Sequence, residues 1–324
     1  MKESMGVPNK EGNNISRGSF LKKIGILTAG VLVTGDVLAK QESTQEFKEQ
    51  NRTIELSEIK EMERNGDLHE GFSRYKINLK FQGDQEKKIE GAGSFFSIED
   101  TAKGKVEFLS NKQHPELFVN GVSFDAIEKH YKDLGKEVTL IVAGAYYAQG
   151  TKDIEGIALE NGKVVGQGIP KIGSNGLLVI KDGNPEIQYV NQITDLNTYI
   201  EERKKAGDSM FQQTSYLRPG GKFTSKLNVV WELRFFVEGE MNGKVKKGIV
   251  NFSTAMTYTE AVEAMTTMDG FKINKAIGLD TGSMSEGYFY SKQEGKPDTK
   301  NLMIDEKVGT HRADYTNVVV FCNR

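Results

Sequence analysis

Three short stretches of this chain carry side chains suited to chemistry. The most informative is A-I-G-L-D-T-G-S-M-S, Ala276 to Ser285. An apolar run ends on the carboxylate of Asp280 and passes into a loop of small residues. Thr281, Gly282, Ser283 and Ser285 offer hydroxyls and backbone N–H groups, as a pocket for phosphate or sugar hydroxyls requires. The bland alternative is an aspartate that only caps a turn. The second stretch is W-E-L-R-F-F, Trp231 to Phe236. Alternation puts Trp231, Leu233 and Phe235 on one strand face, and Glu232, Arg234 and Phe236 on the other. A guanidinium there can hold a phosphate through two parallel hydrogen bonds, or simply pair with Glu232 at the surface for ~0–1 kcal/mol. The third is V-T-L-I-V-A-G-A-Y-Y, Val138 to Tyr147. Gly144 lets the backbone pass close to a ligand or a neighbouring strand, and Tyr146 and Tyr147 can stack on a sugar or end a strand as half-buried aromatics.

The elements that must position these groups are partly legible. R-Y-K-I-N-L-K-F after Phe72 alternates as a half-buried strand should. Further strands are expected at Lys105 to Leu109, Leu117 to Val119, Val138 to Ala143 and Ile154 to Leu159. Others are expected at Leu177 to Lys181, Leu227 to Val237, Gly248 to Phe252, Ala276 to Asp280 and Val318 to Phe321. Asn161-Gly162, Asp182-Gly183, Asn242-Gly243 and Asp269-Gly270 read as the tight turns of antiparallel strands. R-P-G-G, Arg218 to Gly221, reads as a flexible loop. Ser123, Asp195 and Thr257 each begin a helical pattern, and Thr257 with Glu260 forms a capping box. Strands outnumber helices and do not alternate with them. The expected fold is therefore α+β, a mixed, largely antiparallel sheet with hairpins and a few packed helices.

The chain has 324 residues, 27% of them charged, and a formal net charge of -2. No basic footprint for nucleic acid is present. One cysteine, Cys322, excludes an intrachain disulfide, and four scattered histidines show no metal-binding spacing, so no metal site is expected. Asp280 with loop oxygens could hold a hard cation such as calcium, on the thin evidence of one carboxylate, and cofactors stay open. Arg17, Lys22 and Lys23 precede an apolar run from Ile24 to Val33, followed by Val37-Leu38-Ala39. That pattern predicts an export signal over residues 1–39, too short for a permanent membrane span. S-R-G-S-F-L-K-K resembles a twin-arginine signal with Gly18 in place of the second arginine, so the expected destination is periplasmic or secreted by either route. Residues 40–70 are expected to form a charged linker and a peripheral helix with Leu56, Ile59 and Met62 on one face, ahead of one domain over 71–324.

The order of motifs resembles the phosphodiester glycosidase family. That family's pattern runs from an apolar strand into N-G-G-[YF]-F, through hairpins and a strand carrying arginine, to a helix and a strand ending L-D-G-G-G-S. This chain has A-G-A-Y-Y, then E-G-I-A-L-E-N-G-K-V-V-G, L-L-V-I-K-D-G, Arg234, T-Y-T-E-A-V-E-A-M and I-G-L-D-T-G-S-M-S. The resemblance implies a hydrolase acting on a sugar 1-phosphodiester, with Asp280 as central carboxylate, Glu232 as its partner and Arg234 on the phosphate. It places Gly144, Tyr146, Tyr147, Thr281, Gly282, Ser283 and Ser285 around the substrate. Ala143 stands where the family has asparagine, and Thr281-Gly282-Ser283 where it has three glycines. Those departures favour either a shifted substrate or a non-catalytic glycan-binding protein on the same fold.

Overall fold

A computed structural model describes residues 53–61, 68–82, 87–148, 151–222, 230–281, 286–291, 298–303 and 315–324. The expected export signal and the loop residues Gly282, Ser283 and Ser285 lie outside them. The described residues of 53–147 and 153–324 belong to the larger of two compact units.

The described residues of the larger unit begin with β1 (Thr53–Glu61), β2 (Phe72–Gln82), β3 (Lys87–Ile98) and β4 (Gly104–Ser110), then helix α1 (Phe124–Asp133) and β5 (Val138–Ala143). Next come two hairpins, β6 (Ala158–Glu160) with β7 (Lys163–Val164), and β8 (Gly176–Lys181) with β9 (Asn184–Tyr189). Helix α2 (Leu196–Ala206) leads to β10 (Ser209–Gln213), β11 (Ser215–Arg218) and β12 (Gly221–Lys222). The long hairpin of β13 (Trp231–Met241) and β14 (Lys244–Met256) runs into α3 (Tyr258–Thr266), β15 (Met268–Asp269) and β16 (Lys272–Gly278). The last strands are β17 (Gly287–Ser291), β18 (Thr299–Met303) and β19 (Asn317–Asn323).

Among the described residues these strands form three sheets, ordered β12-β11-β16-β13-β14-β3-β2-β1-β15, β7-β6-β10-β8-β9 and β18-β17-β5-β19-β4. Neighbours are antiparallel except β1 with β15. The fold is α+β and dominated by antiparallel sheet, as its composition of elements predicts. Asn161-Gly162, Asp182-Gly183 and Asn242-Gly243 each carry two positive φ values, the backbone that lets a two-residue turn follow strand twist. Each helix starts on the expected cap: Ser123, Asp195 and Thr257 all accept a backbone N–H from the first turn.

Both faces of the large sheet are covered. Leu233, Phe235 and Val237 of β13 pack into a core closed by Ala261, Val262 and Met265 of α3. Phe236, on the opposite face, joins Phe96, Val142, Leu279 and Phe289 in a second core that links all three sheets. Arg234 shares that second face and is 2% exposed, so it is a buried side chain and not a solvent-facing one.

Other differences have local causes. The helix expected around Leu56 and Ile59 is strand β1, and Met62 lies outside the described residues. Its register against β2 shifts between Ile54 and Leu56, and Ile54 and Ser57 are both buried. From Leu56 onward the pairing with β2 is regular, so long-range strand pairing overrides the helical spacing of Leu56 and Ile59. Leu117–Val119 is not a strand; Pro115 opens a 3-10 turn over Pro115–Leu117. The strand expected from Ile154 starts only at Ala158, because Gly156 adopts φ +75°. Arg218–Gly221 is a tight hairpin turn rather than a loose loop, with Pro219 followed by Gly220 at φ +78°.

Candidate active site

Asp280 sits where the chain leaves one sheet for another. Strand β16 ends at Gly278, but its backbone pairing continues: Leu279 N donates to Arg234 O at 3.0 Å, and Asp280 N donates to Gly144 O at 2.9 Å. Two bonds thus carry the segment from β13 of the large sheet to the end of β5 in another. They also draw the three sequence motifs, far apart along the chain, into one neighbourhood. The Asp280 carboxylate accepts from Thr281 N at 2.9 Å, and the two residues are 4% and 6% exposed.

Arg234 reaches this neighbourhood from β13. Its Nε donates to Asn251 Oδ1 on β14 at 2.9 Å. Burial pulls the guanidinium pKa down, while nearby Tyr315, Glu232 and Asp280 favour its charge and oppose that fall. Glu232 and Asp280 therefore both lie within electrostatic reach of Arg234. A buried cation flanked by two carboxylates is held in place by charge and can orient a phosphate oxygen that displaces part of that pairing.

A cleft of about 380 Å³ opens beside Glu232 and Asn251. Arg74, Ser94, Phe96 and Phe289 also line it. Arg74 Nε donates to Ser94 Oγ at 3.1 Å, and its guanidinium lies 4.3 Å from the Phe289 ring centre. That contact desolvates one face of the cation, and Arg74 is the guanidinium that lines the cleft, with Arg234 reaching it only through Asn251. A larger cavity, about 520 Å³, surrounds His114, His130, Lys105 and Asp208; the hairpin residues Asn161 and Ile180 to Gly183 line it, and none of Gly144, Arg234 and Asp280 does.

Gly144 is required by the protein itself. A Cβ there would lie 2.6 Å from Asn317 Oδ1. Asn317 is 2% exposed; its Oδ1 accepts from Ala145 N at 2.6 Å and its Nδ2 donates to Ala145 O at 3.1 Å. Of the two options open for this glycine, close approach to a neighbouring strand is the one observed. Tyr146 turns toward β16: its hydroxyl and that of Tyr258 hydrogen-bond Tyr216, and burial raises the Tyr216 pKa. A Cβ on Gly278 would meet Tyr216 at 2.6 Å and the Tyr146 hydroxyl at 2.9 Å. The Lys171 ammonium lies 5.5 Å from the Tyr146 ring centre and pairs with Glu155. Tyr147 packs instead against the core cluster that includes Phe124, Tyr315 and Val318.

The structure thus gathers Asp280, Thr281, Arg234, Glu232, Gly144 and Tyr146, and sends Tyr147 elsewhere. Sequence reasoning missed Arg74, Asn251, Tyr315 and Asn317. Arg74 could have been found, because it occupies the polar face of the alternating β2 pattern. The other three reach the site through pairings between distant segments and leave no local signal.

No family model matches the chain, and no curated protein matches it. Among solved structures, the chain is distantly similar to the catalytic domain of zebrafish N-acetylglucosamine-1-phosphodiester alpha-N-acetylglucosaminidase, auto-inhibited by its pro-peptide. The likeness has a TM-score of 0.45 and 14% identity, covering 82% of this chain and 87% of that one.

Proposed function

We propose that this protein is an exported hydrolase that cleaves the glycosidic C1–O bond of a sugar 1-phosphodiester. The observation that carries the reading is a charge arrangement: Arg234, buried and fixed on Asn251, within reach of both Glu232 and Asp280, with Glu232 and Asn251 lining the cleft. The motif order around Asp280 supports it. In this reading water adds across the C1–O bond. Its oxygen becomes the anomeric hydroxyl, and the phosphomonoester departs with the bonding electrons. Such a step develops positive charge at C1, which a carboxylate stabilises. Asp280 takes that role, and Glu232 directs the water and accepts the proton it loses, which then passes to solvent. The phosphate is already a good leaving group, so Arg234 and Arg74 aid departure by neutralising its charge rather than by giving a proton.

A second reading, a glycan-binding protein without turnover, draws on the near-complete burial of Asp280 and Thr281 and on Ala143. Free sugar released from an N-acetylglucosamine 1-phosphodiester decides between them. The first reading expects release by the native chain and its loss in Asp280→Asn. Saturable glycan binding without release, from folded protein, gives the second. Undiminished release by Asp280→Asn removes Asp280 from the chemistry.

A further inference from the structure

The loops before β2, β5 and β18 bring His69, Glu137 and Asp298 together, with one ligand atom of each within 4.8 Å of the other two. We propose that these three residues bind a zinc ion. His69 is 2% exposed although its partners reach solvent. Its Nε2 lies 3.0 Å from Asp298 Oδ2, and its Nδ1 lies 3.2 Å from Thr139 Oγ1 on β5. A carboxylate only accepts, so without an ion Nε2 carries a proton toward Asp298; zinc would displace that proton, and the Thr139 hydroxyl would then accept from Nδ1–H and hold the ring in its metal-binding tautomer. That is how outer partners commonly prepare a metal-binding imidazole.

The spacing fits a small ion. Ligands about 2.0–2.1 Å from a tetrahedral zinc stand roughly 3.3 Å apart. The His69–Asp298 separation is already close to that, and a rotamer change at Glu137 would bring the third oxygen in. Glu137's backbone is held on both sides, its N donating to Asn323 Oδ1 at 2.8 Å and its O accepting from Asn323 N at 3.0 Å. One imidazole and two carboxylates match zinc better than calcium, which takes six to eight oxygens. Two carboxylates also neutralise the ion, and exposure on their side leaves room for a water as fourth ligand. The ion would tie three loops into one joint, stabilising the folded chain as zinc concentration rises.

The test is zinc binding by the tag-free full chain after chelation, read by calorimetric stoichiometry and by thermal midpoint against zinc, with calcium in parallel. One zinc per chain is expected, with a midpoint that rises with zinc and not with calcium. Asp298→Asn and Glu137→Gln, both at exposed positions, are expected to weaken binding at least about tenfold, and Thr139→Val about 10–100-fold through the imidazole it orients. His114→Asn, beside the other histidine pair, is expected to leave binding unchanged. No uptake, uptake insensitive to Asp298→Asn and Glu137→Gln, or uptake lost only in His114→Asn overturns the assignment.

Discussion

Replacing Gly144 by alanine tests how the candidate site is braced. The new methyl would sit 2.6 Å from Asn317 Oδ1, with Val319 and Phe108 atoms at 3.2 and 3.3 Å. Those neighbours are buried, and Asn317 is bonded to both the N–H and the carbonyl of Ala145. The amide cannot swing away without surrendering these bonds. Overpacking of this kind costs about 1–3 kcal/mol. Asn317→Ala leaves the Ala145 N–H buried without its acceptor, which costs about 1–3 kcal/mol as well. The two losses share one cause, because removing the amide also removes the clash. Gly144→Ala with Asn317→Ala should therefore cost less than the sum of the two by on the order of 1–2 kcal/mol. Urea unfolding of the four chains of this cycle, at equal m-values, measures the coupling. Turnover adds a second readout. Gly144 O holds Asp280 N, so the single glycine variant should lose activity that the double variant partly recovers. Strict additivity in stability would refute the shared cause and return Gly144 to the role of a ligand passage.

The buried Glu160 gives a pH-dependent prediction. Its Oε2 accepts from Ser110 N at 3.0 Å, and its Oε1 lies 2.9 Å from His114 Nε2. The Glu160 hydrogen bond raises the His114 pKa above its usual 6.5, against a smaller opposing effect of burial. A raised histidine pKa contributes stability that is fully present below 6.5 and fades as pH climbs through the raised value. Urea midpoints measured from pH 5 to 9 should show that fall in the native chain and not in His114→Gln; matching profiles would contradict it. At the start of α3, Thr257→Ala removes one half of the capping box, where Thr257 Oγ1 accepts from Glu260 N at 3.2 Å and Thr257 N donates to Glu260 Oε2 at 2.7 Å. The loss should be about 1 kcal/mol in the same assay, since α3 still packs its apolar face on the core.

The sequence shows its architecture best where local chemistry decides. Asn-Gly and Asp-Gly pairs mark hairpins because asparagine, aspartate and glycine tolerate positive φ, and the helix caps announce themselves through side chains that bond the first turn. The candidate site is legible as an order of motifs, because Gly144, Arg234 and Asp280 each stand at or just beyond the apolar strand that delivers them. Strand alternation on β13 correctly separates Arg234 from Phe235, yet it cannot tell that both faces are covered. That depends on which sheet lies over β13, a long-range matter. The same holds for Asn251, which finds Arg234 only through the register of β13 with β14, and for Asn317, which reaches Ala145 because β19 lies beside β5. Strand β1 misleads for a different reason: its pairing with β2 overrides the local helical spacing of Leu56 and Ile59.

Where the water oxygen goes tests the central claim most directly. Hydrolysis of an N-acetylglucosamine 1-phosphodiester in oxygen-18 water, with mass analysis of both products, separates the two bonds that could break. Cleavage of C1–O, as proposed, places the label on the sugar's anomeric oxygen and none on the phosphomonoester, read at once after quenching. Label on phosphate would mean that the P–O bond breaks, and would contradict the roles given to Asp280, Glu232 and Arg234.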